Sequence, residues 1–176
     1  MMRLFSFTNL LGLAVLAAGI WLSTLVQTGP DTRQLNLPGD IESGGSKTLR
    51  LHFGKDSGSG MVVEVRAVQT EDGEDLLNRA LAELVKGPQV PGAAALVPVG
   101  SQPPTVFLRD GTAYVDLPPA YAKLDYGTVA EDHLIYGIAA TLLEFKTVNA
   151  VQFLLGGKDV VSLGHLSLVD PFKRQR

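Results

Sequence analysis

Apolar and polar residues alternate from Thr48 onward. Leu49, Leu51 and Phe53 alternate with Arg50 and His52, the two-residue period of a half-buried strand. KDSGSG, Lys55 to Gly60, is a turn-rich connection, after which Val63, Val65 and Ala67 alternate with Glu64 and Arg66 as a second strand and hairpin partner of the first. The period then becomes helical. Leu76, Leu77, Ala80, Leu81 and Leu84 share one face, with Asn78, Arg79 and Glu83 off it. Glu71, Asp72, Glu74 and Asp75 crowd the start, where acids suit the positive end of the helix dipole, and Gly87-Pro88 closes the helix.

Pro88 to Pro104 is too rich in proline for a long regular element, although a short helical turn fits Ala93 to Leu96. Two alternating runs, Thr105–Arg109 and Thr112–Leu117, flank Asp110-Gly111, a pair that predicts a type I′ hairpin with two positive φ angles. Thr128 and Glu131 are spaced as a capping box opening a second helix. Its apolar stripe is Leu134, Ile135, Ile138, Ala139, Leu142 and Leu143, and Gly137 inside it marks close backbone packing. Val148 to Leu155 is an apolar strand that turns at Gly156-Gly157. Val160, Val161 and Leu163 begin another extended run, and Leu166 and Leu168 fit a last strand stopped by Pro171. Two hairpins, two amphipathic helices and terminal strands make an α+β domain, an antiparallel or mixed sheet with both helices on one face.

The N-terminus is of another kind. Leu10 to Val26 holds no charged residue, and counted from Phe5 the segment is long enough to span a bilayer as a helix. Arg3 precedes it and Trp21 lies toward its far end, as befits an interface. Residues 1–26 therefore fit an uncleaved signal anchor. The rival is a cleaved signal peptide, for which Ser23 to Gln27 offer no convincing pair of small residues. Residues 27–47, rich in Gly, Pro, Asp and Ser, read as a flexible linker, leaving 48–176 as the folded domain. Either export reading places that domain outside the cytoplasmic membrane.

Composition narrows the chemistry. The 176 residues carry a formal net charge of −3, so no basic surplus exists to hold a phosphate backbone, and nucleic acid is not an expected partner. The chain has no cysteine, which removes disulfides, thiolate catalysis and any lipid attached through an N-terminal cysteine. The three histidines, His52, His133 and His165, are not spaced as metal ligands. Glu71-Asp72 and Glu131-Asp132 stand at helix starts, where the dipole accounts for them. No nucleophile elbow or phosphate-binding glycine loop occurs. The sequence thus nominates no catalytic, cofactor-binding or metal-binding residue. Its alternatives are a wall-acting hydrolase using His165 with Asp170 or an acidic pair, and a small-ligand or wall-polymer module using Pro88–Pro104 and Tyr114.

The order of short motifs resembles the GerMN domain, the sporulation and spore germination domain of bacterial envelope proteins. TLRLHFG opens it, and LLNRALAELVKGP carries the A-L-x-x-L-x-x-G-P ending. DGTAYVDLPPAY resembles the D-G-x-A-x-V-D-L-S hairpin, and TLLEFKTVNAVQFLLGGK the T-L-T-E-x-x-x-V-x-x-V-x-F-x-x-x-G-K stretch. GHLSLVDPFKR resembles the G-H…P-L closing segment. The resemblance implies an exported, non-enzymatic interaction module whose partner is an envelope protein or another copy of itself. Some members are similar to the ring-building motifs of secretion-type assemblies. Members known from sporulation are typically lipoproteins, often with two copies, whereas this chain has one copy and no cysteine to lipidate.

Overall fold

A computed structural model describes residues 44–124 and 127–174. The signal anchor expected at 1–26 and the linker as far as residue 43 lie outside the described residues. No helix among the described residues is long and apolar enough to cross a membrane. Among the described residues the architecture is α+β with two α-helices, but the strands divide into two sheets where one was expected.

The first sheet is a long antiparallel hairpin, β1 (Gly45–Lys55) and β2 (Gly58–Thr70), so β1 begins inside the stretch read as linker. Leu49, Leu51 and Phe53 point into the core. Residues opposed across an antiparallel pair share a face. Arg66 lies opposite Leu49 and Glu64 opposite Leu51, so these charged residues, with Val68, take the inner face of β2. Val63 and Val65 point outward instead, 41% and 62% exposed. Alternation alone would have turned the valines inward; the register of β1 decides otherwise.

The burial of Arg66 is compensated. Its guanidinium meets Glu64 at 2.6 Å and Glu83 at 3.0 Å, and donates to the carbonyls of Glu83 and Gly87. Glu83 lies in the last turn of α1 (Leu76–Val85) and Gly87 just past its end, so a strand residue satisfies one of the helix's last acceptors and the carbonyl that follows it. Asp75 caps the other end, accepting from the Leu77 and Asn78 N–H groups, and the neighbouring acids stand ahead of the helix rather than in its first turn. Gly87 follows the helix at φ +88°, the left-handed stop expected of Gly-Pro.

The proline-rich stretch contains a strand where a helical turn was expected. β3 (Ala93–Ala94) pairs with β1 at Gly54 and Lys55, held there by the Asp56 N–H donating to the Gly92 carbonyl at 3.2 Å.

The second sheet begins with β4 (Thr105–Arg109) and β5 (Thr112–Leu117), joined by the expected hairpin with Asp110 at φ +51° and Gly111 at +76°. β6 (Ala150–Leu155) lies parallel to β5 after a crossover through α2 (Gly127–Leu143). β7 (Lys158–Asp159) and β8 (Phe172–Lys173) both pair with β6. The last strand is therefore β8, beyond Pro171, and Leu166 to Leu168 is irregular. Leu168 is fully buried, its N–H bonded to the Val161 carbonyl and its carbonyl accepting from Gln152, so it acts as a plug held from both sides.

α2 connects the sheets. Buried positions run nearly round it, including Glu131, His133, Gly137 and Thr141 beside the apolar stripe, and it touches both β1 and β6. One edge of β1 pairs with β2; along the other, the His52 N–H donates to Thr141 Oγ1 at 2.9 Å. A Cβ at Gly137 would stand 2.8 Å from the His52 carbonyl oxygen and 2.8 Å from Leu96 Cδ1. Here the expected close packing is found, and only glycine allows it. Gly137→Ala should therefore lower stability by about 1–3 kcal/mol through overpacking, against a helix-propensity gain of at most about 1 kcal/mol. Thermal unfolding checks it: the midpoint should fall, and an unchanged or raised midpoint would contradict the contact.

Candidate functional site

Each histidine belongs to a different part of the fold. His52 Nε2 lies 2.9 Å from Glu144 Oε1, which also meets Arg50 Nε at 3.1 Å, so the group pins the end of α2 to β1. His133 is buried against Gly54, where a Cβ would fall 2.0 Å from its Nδ1. His165 pairs with Glu131 and not with Asp170.

The His165–Glu131 contact has the strongest chemical outline of any in the described residues. Glu131 is 2% exposed and sits in the first turns of α2. Its Oε2 accepts from the His165 N–H at 2.7 Å and lies 3.0 Å from His165 Nδ1; its Oε1 accepts from the Leu166 N–H at 3.1 Å. The carboxylate is thus committed to the closing segment and does not complete the expected capping box with Thr128. A Cβ at Gly164 would come within 3.1 Å of Oε2, which explains why glycine precedes the histidine. Ser162 Oγ accepts from the Gly164 N–H at 2.9 Å and shapes the same turn. A recess of about 230 Å³ beside the pair is lined by Lys123, Leu124, Gly127 and Leu163.

A carboxylate orienting an imidazole is two-thirds of a hydrolytic triad. The nucleophile is the missing part: Ser162 is spent on the turn, and among the described residues no hydroxyl hydrogen-bonds to the His165 ring. Burial pushes the Glu131 carboxyl up, yet the Leu166 and His165 hydrogen bonds and the His165 charge together hold it below its ordinary range. It is kept ionised as an acceptor rather than poised as an acid. Among the described residues no three His, Asp or Glu side chains gather as metal ligands.

Tyr114 stacks on Phe107 with ring centroids 5.1 Å apart and planes 8° from parallel, on the outer face of the second sheet. The recess beside Tyr114, about 430 Å³, is lined by Gln152, Val161, Val169 and Pro171, and not by the Pro88–Pro104 loop. That loop instead feeds Leu96 and Val97 into the core. The two parts proposed for a ligand site are therefore not brought together.

The remaining surface is apolar in places. A groove of about 740 Å³ runs between Met61 and Phe172 over Ala140 and Leu143 of α2, with Tyr136 in its wall. Tyr136 is held edge-on to Phe172, which meets Phe153 in the same way.

A hairpin, a helix, a second hairpin, a long crossover helix and a parallel strand, closed by a Gly-His turn, follow the motif order noted in the sequence. The profile of the sporulation and spore germination family matches residues 50–161. The chain belongs to this family. The GerMN fold is seen in the solved first GerMN domain of the sporulation protein GerM from Bacillus subtilis. That domain is 19% identical, the match covers 72% of this chain and 94% of that one, and the TM-score is 0.55. The tandem GerMN domains of the same protein match with 19% identity over 73% of this chain and 45% of theirs, at a TM-score of 0.56. None of the curated proteins matches the sequence.

The role of Glu131 in this GerMN domain was the feature the sequence concealed, because its spacing from Thr128 already satisfied a local motif. The signal lay in the Gly-His pair, which needs a buried acceptor. Removing that acceptor strands three donors, so Glu131→Ala should cost about 1–3 kcal/mol, whereas His165→Ala, which leaves both backbone bonds, should cost under about 1 kcal/mol. Chemical unfolding of both variants checks the order.

Acid should act through the same contacts. Glu83 and Glu144 are also held below the ordinary value of 4.5: burial raises each, but Lys86 and Arg66 around Glu83, and His52 and Arg50 around Glu144, outweigh it. A depressed native pKa means that the unfolded chain binds protons first. Stability should be full above the ordinary glutamate range and fall as pH drops through 4.5 and below. Unfolding midpoints measured against pH check this, and Glu131→Gln should flatten part of the decline.

Proposed function

We propose that this GerMN domain is a non-enzymatic interaction module, tethered outside the cytoplasmic membrane as a component of a cell-envelope protein complex. One observation carries the reading: the side chains with catalytic potential are spent on holding the fold, while apolar ones are left outside. Glu131, His165, His52 and Glu144 each tie one element to another. Val63, Val65, Phe107, Tyr136, Val161 and Val169 are exposed. Surfaces of that kind are what association uses. The uncharged segment from Leu10 to Val26 supports a tether, and the Gly- and Pro-rich stretch after it supports reach from the membrane.

Crosslinking the full chain in its own host, followed by mass spectrometry, should recover envelope proteins. A cell-wall zymogram of the purified protein should stay blank. Clearing by the wild type that vanishes in His165→Ala would replace this reading with a hydrolase acting through the Glu131–His165 pair, and recovery of background alone would remove the complex.

A further inference from the structure

We propose that the recess beside Tyr114, on the outer face of the second sheet, binds an N-acetylated hexosamine. The sugar ring lies on the tyrosine and its acetamido methyl against Val161 and Val169. This site goes beyond the interaction-module reading and assigns part of the exposed apolar surface to a small ligand.

Phe107, Tyr114 and Gln152 stand in one row across β4, β5 and β6, since Phe107 pairs with Tyr114 and Tyr114 with Gln152. They alternate with the buried Val106, Val115 and Phe153 and so share the outer face. Phe107 covers one face of the Tyr114 ring, with centroids 5.1 Å apart and planes 8° from parallel. The other face turns toward Gln152 and the recess of about 430 Å³, which Tyr114 and Gln152 line and Phe107 does not. A tyrosine backed in this way presents a fixed apolar plane. The volume falls in the range of small-molecule sites.

The polar groups around that plane are uncommitted. Gln152 Nε2 donates to the Leu168 carbonyl at 2.9 Å, and a carbonyl can take only the N–H side of an amide, so Oε1 is left as an acceptor. Thr112 lies two residues along β5 on the same face, and Asp159 pairs with Leu154 in the outer row of β6. Both line the recess, and neither side chain has a partner among the described residues. The remaining wall is apolar, made by Val161 and Val169, 71% and 57% exposed, with Pro171. Leu168 fixes it to the sheet, bonding Val161 through its N–H and Gln152 through its carbonyl.

These features select the ligand. An extended peptide docks through backbone hydrogen bonds at a sheet edge, but β5 is paired on both sides along this row. A bound anion calls for a cationic donor, and the charge lining the recess is the Asp159 carboxylate. Arg109 and Lys173 stand in the Thr112 row outside the recess and offset that carboxylate, so the surroundings favour a neutral ligand. A metal ion needs clustered ligands, which the described residues lack. A pyranose fits what remains: its C–H face covers the aromatic plane, and its hydroxyls donate to Gln152 Oε1, Thr112 Oγ1 and Asp159. A plain hexose would bury hydroxyls without partners against Val161, Val169 and Pro171. An acetamido group instead gives that wall a methyl and offers its N–H to the same acceptors.

The test titrates the linear trimer of N-acetylglucosamine into the full-length protein, held in a detergent without sugar headgroups. The methyl NMR signals of Val161 and Val169 should shift saturably at millimolar trimer, and should stay in place with maltotriose or choline. Tyr114→Ala should weaken binding about tenfold by removing the stacking plane. Asp159→Ala should weaken it about fivefold, and Asp159→Asn, which keeps an acceptor, should restore most of that loss. The Asp159 side chain is exposed and unbonded, so both its variants should keep the wild-type melting transition and decide the matter if Tyr114→Ala fails to fold. A trimer that produces no saturable shift overturns the site. An equal response to maltotriose overturns the acetamido assignment, and an equal response to choline makes the recess a cation site instead. A folded Tyr114→Ala protein that binds like the wild type overturns it too, as does Asp159→Asn binding no better than Asp159→Ala.

Discussion

The structure depends on α2 lying against the edge of β1. A strand normally occupies such an edge; here a helix does, with a threonine hydroxyl accepting the His52 N–H and a glycine letting the two backbones approach. The same helix is the crossover that makes β5 and β6 parallel, so it belongs to the second sheet by connection and to the first by contact. Its first turns hold the closing segment through Glu131, and its far end is held by Arg50 and His52 through Glu144. Arg174 adds its guanidinium to the carbonyls of Leu143, Phe145 and Val148, returning the chain's end to the helix C-terminus. One contact thereby directs the core, the closing loop and the free edge of the sheet.

The second constraint is the buried charge on β2. Taking Arg66, Glu64 and Glu83 out of water is costly, and pairing them offsets that cost without guaranteeing a net gain in stability. Their clearer effect is on register. A slip of one residue in the hairpin would turn both β2 charges to the surface and leave the Glu83 and Gly87 carbonyls without their donor. It would also turn Val63 and Val65 inward. The polar inner face of β2 and its apolar outer face are two results of one pairing.

Local chemistry was legible in the sequence wherever a few adjacent residues determine the conformation. Asp110-Gly111 takes its two positive φ angles, Gly87-Pro88 ends α1, and Gly137 marks a close backbone approach. Nonlocal choices were hidden. The side of β2 that faces the core is set by its partner strand, and two sheets look like one when strands are read in order. The Thr128–Glu131 spacing satisfied a capping motif, yet two backbone N–H groups and an imidazole more than thirty residues away won the carboxylate. The alternation of Leu166 and Leu168 suggested a strand, but a single plug residue beneath an irregular loop produces the same apolar signal. The histidines illustrate the same limit, since the partners of His52 and His165 come from distant elements.

In this GerMN domain α2 takes the place of a strand along the edge of β1, while Val63, Val65 and Phe107 stay outside the apolar core. Residue-resolved amide hydrogen exchange tests that substitution most directly. The His52 amide should exchange only with global unfolding, and Thr141→Val should release it selectively while its neighbours in β1 stay protected. A His52 amide that already exchanges like one on an open edge in the wild type would contradict the account.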